Sequence, residues 1–290
     1  MTSIAVVHYN FTYAGGAEKL AGSLVKALRE SGFDAKLVTM NIDPDTFRLL
    51  GLPELPYTVL HESFTASMAR RIHQRMRRFG KIYSYILYSS LLGKLDYIRS
   101  LGFDMIVETQ LNYPLPVDVS YIHYPVTLQG TSSTTSLPRR LYNKLSDLLW
   151  KRVKGNPRLV LTNSTWTMAK TLDAFPGLSN VKVLHPAVDY EYFASARRRR
   201  REKIVVTVSR LIPSKKIDAV LRAASELREY RFILVGSTIG YSRMNYLAQL
   251  EKMASSLPNV EIMPNAPREA VRDLLGRALF YPVSYTHLTL

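Results

Sequence analysis

Short apolar runs and amphipathic stretches take turns along the whole chain. The first run, at residues 4–7, is mostly β-branched and too short for an ordinary helix, which predicts a strand buried on both faces. After a loop containing Gly15 and Gly16, the residues Leu20, Leu24, Val25 and Leu28 recur on one side of a helix that stops near Gly32, a C-terminal cap. Residues 34–40 hold the next strand. The alternation continues through strands at 104–108, 117–122, 159–163 and 181–184. Between them lie a long, mostly helical stretch at 64–101, a polar loop at 131–136, a basic helix at 139–153 and a helix opened by Ser164 or Thr165 as N-cap. It resumes after residue 202, where strands at 203–208, 232–236, 260–263 and 278–281 alternate with helices at 216–227, 243–256 and 268–275. This order predicts an α/β fold with doubly wound parallel sheets.

The chain has 290 residues, and two such series predict two domains, 1–195 and 196–281. The boundary falls near the arginine run at 197–201, which reads as a solvated linker.

Candidate chemistry sits at strand ends. Arg210 and Lys215 fall in the turn between the 203–208 strand and the following helix. In an open α/β sheet, ligands bind outside the carboxyl ends of the strands. Two cations beside a helix N-terminus there suit a phosphate, because free N–H groups and the helix dipole favour an anion. His123 follows the 117–122 strand and could hydrogen-bond a hydroxyl or phosphate, although a lone histidine is more often structural or merely exposed. Gly15 and Gly16 permit either a close backbone approach to a ligand or an ordinary sharp turn. Their loop lacks the G-x-G-x-x-G spacing, and no P-loop lysine motif is present.

Composition narrows the classes. Hydrophobic residues make up 47% of the chain, enough for sizeable cores. There is no cysteine, which excludes disulfides and thiolate metal sites. The N-terminus lacks a basic n-region, and no apolar run approaches a bilayer span, so a soluble or peripheral cytoplasmic protein is expected. The net charge of +16 calls for an anionic partner. Arg70, Arg71, Arg75, Arg77, Arg78 and Lys81 crowd the first half of the 64–101 stretch, ahead of an aromatic and aliphatic half. That pattern suits an anionic membrane surface, and equally a solvated basic face before a core helix. No nucleic-acid-binding module is recognisable, so no nucleic-acid partner is expected.

Segment 209–218, Ser-Arg-Leu-Ile-Pro-Ser-Lys-Lys-Ile-Asp, resembles the G-R-L-x-P-E-K-G-x-D signature of the retaining GT-B glycosyltransferases of family 4. That large group includes sucrose synthases and many mannosyltransferases. Ser209 replaces the leading Gly, and Lys216 the Gly after the lysine. Gly15-Gly16-Ala17-Glu18 resembles the family's G-G-x-E loop, and residues 232–237, with Gly236, resemble the second strand of its donor domain. Residues 121–125, 163–167 and 186–189 are similar, in order, to segments of the Alg11-type mannosyltransferases, which extend lipid-linked oligosaccharides from GDP-mannose.

The resemblance implies a GT-B fold, with two Rossmann-like domains facing a cleft. It implies transfer of a hexose, mannose in the nearest likeness, from a nucleotide sugar to a lipid-linked, polyprenyl or other glycan acceptor with retention. Arg210 and Lys215 would bind the donor diphosphate, supported by Ser209 and Gly236. Gly15 and Gly16 would leave room for donor and acceptor, with Glu18 beside them, and His123 would contact the transferred sugar or its phosphate. No cofactor is implied beyond the nucleotide-sugar substrate, GDP-mannose in that likeness. No D-x-D-type dyad stands at a strand end, so metal independence is expected, with fixed cations stabilising the departing diphosphate. One departure stands out: the family's E-x-F-G and second Glu have no match in 282–290. The second domain therefore reads as incomplete and 282–290 as a non-native tail, and such a chain is expected to be inactive. Rival readings are another nucleotide-sugar enzyme, such as an epimerase, and a non-catalytic membrane-associated interaction protein.

Overall fold

The computed structural model describes residues 1–76, 80–128, 137–151, 155–197, 200–237 and 244–282. The chain divides into two compact units, Met1–Ala187 and Val188 onward. The polar loop at 131–136, Arg198, Arg199 and the tail from residue 283 lie outside the described residues.

The first unit runs β1 (Ser3–Val7), β2 (Asn10–Phe11), α1 (Gly16–Glu30), β3 (Asp34–Thr39), β4 (Asn41–Ile42), α2 (Asp45–Leu49) and β5 (Tyr57–Val59). It continues with α3 (Phe64–Met76), α4 (Gly80–Leu92), α5 (Leu95–Ser100), β6 (Met105–Glu108), β7 (Val119–Ile122), α6 (Leu137–Lys151), β8 (Leu159–Thr162), α7 (Thr165–Ala174) and β9 (Val181–Val183). Seven strands form one parallel sheet in the order β5-β3-β1-β6-β7-β8-β9. The chain winds outward from β1 to β3 and β5, then returns to lay β6 on the other side of β1. The carboxyl ends of β1 and β6 therefore flank the switch point, where an open α/β sheet leaves a crevice.

The continuous apolar run of β1 is explained by burial on both faces. Ala5 and Val7 pack with Leu87, Leu91 and Ile98 on one side, while Ile4 and Val6 meet Ala21, Val25 and Phe47 on the other. Helix α1 ends as expected: Gly32 has φ +88°, and the amides of Gly32 and Phe33 donate to the carbonyls of Arg29 and Leu28. Ser164 caps α7 by accepting from the Thr167 amide at 3.1 Å.

The 64–101 stretch is mostly helical, as expected, with three helices among its described residues. Its basic residues have divided fates. The Arg70 guanidinium is held by Glu62 at 2.9 Å. Lys81 is only 5% exposed, and its Nζ lies 3.3 Å from Asp147. Arg71 is exposed, whereas the Arg75 side chain, Arg77 and Arg78 lie outside the described residues.

The second unit contains α8 (Tyr190–Ala194), β10 (Glu202–Val208), α9 (Ile217–Glu226), β11 (Arg231–Gly236), α10 (Met244–Ala254), β12 (Val260–Pro264), α11 (Arg268–Arg277) and β13 (Ala278–Phe280). Its four described strands are parallel in the order β12-β11-β10-β13, so the switch point here lies beside β10. Val205 packs toward α9 with Leu221 and Ala224, and Ile204 and Val206 pack with Leu274 of α11. The arginine run is not a solvated linker at Arg201. Its guanidinium donates to the carbonyls of Leu275 and Gly276, both at 2.8 Å. The physical reason is that the last turn of α11 exposes carbonyls that need donors. Upstream, Asp189 pairs with Arg268, whose guanidinium lies 4.0 Å from the Tyr192 ring centroid.

Candidate functional site

Each unit places its candidate residues at its own switch point. In the first, β1 delivers His8 and β6 delivers Glu108 and Thr109, while His123 follows β7. The Thr109 hydroxyl donates to the Val7 carbonyl at 3.0 Å. Its proton is thereby committed, so the 2.9 Å hydrogen bond between His8 Nδ1 and Thr109 Oγ1 is donated by the imidazole. His8 Nε2 is buried with no hydrogen-bond partner among the described residues, and it lies 4.0 Å from Glu18 Oε1.

His123 is fixed in the opposite tautomer. Its Nε2 lies 3.0 Å from the Thr109 carbonyl, which can only accept, so Nδ1 is the unprotonated nitrogen. Burial, and secondarily the nearby His8, push the His123 pKa down to about 4. The ring is therefore neutral at pH 7. Its backbone is clamped by Asn112 Oδ1, which accepts from the amides of His123 at 2.7 Å and Tyr124 at 3.1 Å. Asn163 Nδ2 donates to the His123 carbonyl at 3.1 Å. A neutral imidazole offering a lone pair is matched to a hydroxyl donor better than to phosphate oxygens.

Gly15 is the N-cap of α1 and makes no side-chain cap bond. A Cβ at Gly15 would lie 2.5 Å from Glu18 Oε2, whereas one at Gly16 would meet nothing within 4 Å. Glu18 thus folds back over Gly15, while the space beside Gly16 is open. Beside this site Glu108 is fully buried, and its carboxyl is pushed up to about 8 by desolvation. The amides of Gln110 and Leu111 donate to its Oε1, each at 2.7 Å, and only partly offset that penalty.

In the second unit, β10 runs into Ser209 and the exposed Arg210, followed by a 3-10 turn at Pro213–Lys215. Burial, and then the charge of Arg210, hold the Lys215 pKa below the ordinary lysine range, so the two cations share one locality. Gly236 is required by space: a Cβ there would fall 1.9 Å from the Ser209 carbonyl oxygen. That close approach lets the end of β11 lie against the turn, with Ser209 N donating to Val235 O at 3.0 Å. Lys216, standing where the resembling signature has Gly, adopts φ +51°, a left-handed conformation that favours glycine.

The structure thus gathers His123, Gly15, Gly16 and Glu18 in one unit and Ser209, Arg210, Lys215 and Gly236 in the other. Sequence reasoning passed over His8, Thr109 and Asn112. His8 directly follows a buried strand, as His123 does, and the same strand-end rule selects it. Nothing in the pattern marks Thr109 or Asn112.

No family model matches the chain. Over 117 residues it is 32% identical to the GDP-mannose-dependent alpha-(1-6)-phosphatidylinositol monomannoside mannosyltransferase of Mycolicibacterium smegmatis, covering 37% of this chain and 30% of that protein. Over 233 residues it is 24% identical to alpha-1,3/1,6-mannosyltransferase ALG2 of Mus musculus, covering 74% of this chain and 54% of that protein. The chain therefore spans about half the length, or less, of these curated relatives. Among solved structures, WaaG, a glycosyltransferase involved in lipopolysaccharide biosynthesis, aligns with a TM-score of 0.63 at 12% identity, covering 97% of this chain and 75% of that chain. Anabaena HepE, solved with UDP and glucose, aligns with a TM-score of 0.61 at 17% identity, covering 97% and 73%. The fold is α/β with parallel sheets, and it is the fold of GT-B glycosyltransferases.

Proposed function

We propose that this chain carries the donor- and acceptor-binding framework of a retaining, family-4-type glycosyltransferase that moves mannose from GDP-mannose to a lipid-linked glycan acceptor. The observation that carries this reading is the pair Arg210 and Lys215 at the switch point of the second unit, with Gly236 admitting the β11 end against their turn. The mannosyltransferase relatives favour mannose, and the GDP-mannose dependence of one of them favours guanine as the donor base.

In the reaction the anomeric C–O bond breaks, the diphosphate leaves with the electron pair, and the sugar becomes oxocarbenium-like. An acceptor hydroxyl forms the new bond on the same face and passes its proton to the departing diphosphate oxygen there. Negative charge grows on the diphosphate as the bond breaks. Fixed cations therefore hold the transition state more tightly than the ground state. Arg210 supplies a planar fork for phosphate oxygens and Lys215 a point charge. Together they provide the positive charge that a metal would otherwise bring. Neutral His123 orients a sugar hydroxyl through Nδ1. Gly15 and Gly16 leave room for the ligands at the start of α1.

A thermal-shift titration of the chain with GDP-mannose, UDP-glucose and ADP-glucose tests this reading. GDP-mannose is expected to raise Tm most strongly. A chain whose Tm responds to none of the three is not a nucleotide-sugar enzyme.

A further inference from the structure

His8 has one ring nitrogen that the proposed reaction leaves unused. Its Nδ1 is spent on Thr109 Oγ1 at 2.9 Å, and its ring meets Phe11 edge-on, with centroids 6.1 Å apart. The imidazole is thereby fixed, and it is 0% exposed. Its Nε2 has no hydrogen-bond partner among the described residues. It faces Glu18, 4.0 Å from Oε1, a separation too long for a hydrogen bond. Leaving a buried polar atom in that state is costly, and such atoms are rare in folded chains.

Glu18 stands in the first turn of α1, where Gly15 offers no side chain to cap the amides. Its Oε2 lies 2.5 Å from where a Cβ on Gly15 would be, and the space beside Gly16 is open. The helix start is anchored. The Lys19 amide donates to the Gly15 carbonyl at 2.9 Å, and Lys19 Nζ donates to the Leu50 carbonyl at 2.9 Å. The Glu18 side chain is 12% exposed, so a ligand can reach it, whereas buried His8 can act only through it. A bare helix start ordinarily attracts an anion, because its amides and dipole present positive charge. Here the Glu18 carboxylate takes the place of that anion and repels another. A carboxylate only accepts hydrogen bonds, and His123, which feels the charge of both His8 and Glu18, also accepts at Nδ1. Acceptors gathered at one strand end match hydroxyl donors, not phosphate oxygens.

We infer that Glu18 binds a pyranose hydroxyl at the start of α1, with His8 as the positioning residue that steadies its carboxylate. The site selects neutral polyols over phosphates. The bound hydroxyl donates to Glu18, and the sugar ring lies over Gly16, where no side chain stands. Which sugar it holds rests on the proposed glycosyltransferase activity, whereas the hydroxyl site does not.

The test is a titration of the isotope-labelled full chain with methyl α-mannoside and, separately, with inorganic phosphate. Both are followed by NMR at the Gly15 and Gly16 amides, which report this site apart from the Arg210 turn. Mannoside should move these amides saturably, and phosphate should leave them in place. Glu18→Gln should weaken the mannoside by about tenfold or more, as expected for a charge-assisted hydrogen bond. The same variant should let phosphate move the two amides, an opposite effect that a merely structural loss at the helix start does not produce. His8→Phe should weaken the mannoside by about fivefold, the worth of one net hydrogen bond. His8→Gln, whose amide reaches the place of Nε2, should stay within about twofold of the wild-type chain. Four results would each overturn the inference: wild-type amides that mannoside leaves unmoved, phosphate binding there without any substitution, a Glu18→Gln chain that keeps its mannoside affinity or still excludes phosphate, and equal affinities for His8→Phe and His8→Gln. With GDP-mannose present, displaced mannoside assigns the site to the donor's own sugar, and undisturbed mannoside to a second sugar. GDP-mannose binding is read separately at the Ser209 amide, so a failed diphosphate turn and a failed hydroxyl site are told apart.

Discussion

Two buried titratable side chains, Glu108 and His123, give the first unit opposite pH responses. Glu108 is raised to about 8 in the folded chain, so the folded state holds a proton that the unfolded state releases near its ordinary pKa. Its stabilisation is complete below that value and is lost as pH rises toward 8. His123 is depressed to about 4, so its stabilisation is complete above the ordinary histidine value and is lost as pH falls toward 4. The two slopes oppose each other from about pH 4.5 to 6.5, and above that only Glu108 acts. Stability should therefore decline between about pH 6.5 and 8, with a limiting slope of about 1.4 kcal/mol per pH unit. Glu108→Gln keeps an acceptor for the Gln110 and Leu111 amides and should abolish that decline in urea melts run across the pH range. A decline retained in the variant would mean that another group carries it.

Backbone placement gives a second pair of expectations. Gly236→Ala forces the Ser209 carbonyl to move and should cost about 2 kcal/mol or more, with weaker nucleotide binding because the Arg210 turn shifts. Lys216→Gly relieves a left-handed residue and should stabilise the second unit by about 0.5–1 kcal/mol. At this scale the sequence was legible in where the candidates stand, with His123 and Arg210 each just past a buried strand. The perturbation of Glu108 was not legible, because it depends on β1 and β7 closing over β6 from both sides.

Helices and strands were legible wherever one period dominated. The runs of β1, β10 and β11 announce two-sided burial, and the Leu20–Leu28 face announces α1. The 64–101 stretch is mostly helical as its composition announces, with basic α3 ahead of α4, which is apolar nearly all round. Tertiary packing decides the breaks: Leu87, Tyr88 and Leu91 enter the core, while Gly93 and Lys94 turn the chain into α5. Leu91→Ala should accordingly cost about 2–5 kcal/mol, against well under about 1 kcal/mol for Phe64→Ser at an exposed position of α3, as measured by chemical denaturation. Helix α6 also surprised: beside its cations it leaves Leu141, Leu145 and Leu148 exposed, a face that its basic composition concealed.

At the scale of the chain, both units use one device. A strand buried on both faces ends at the switch point of a parallel sheet, and the candidate residues stand just beyond it: His8 and His123 in the first unit, Arg210 and Lys215 in the second. That device was readable from strand–helix alternation. The strand order that brings His8, Thr109 and His123 together was not, because pairing across a sheet leaves no local trace in sequence. Titration calorimetry of GDP-mannose into the chain, and into Arg210→Gln and Lys215→Gln variants, tests the central claim most directly. The wild-type chain should bind, and each variant should lose about tenfold or more in affinity, as expected for removing a charge-assisted hydrogen bond. Wild-type and variant chains that bind equally, or a wild-type chain that does not bind, would contradict the assignment of this turn as the diphosphate clamp.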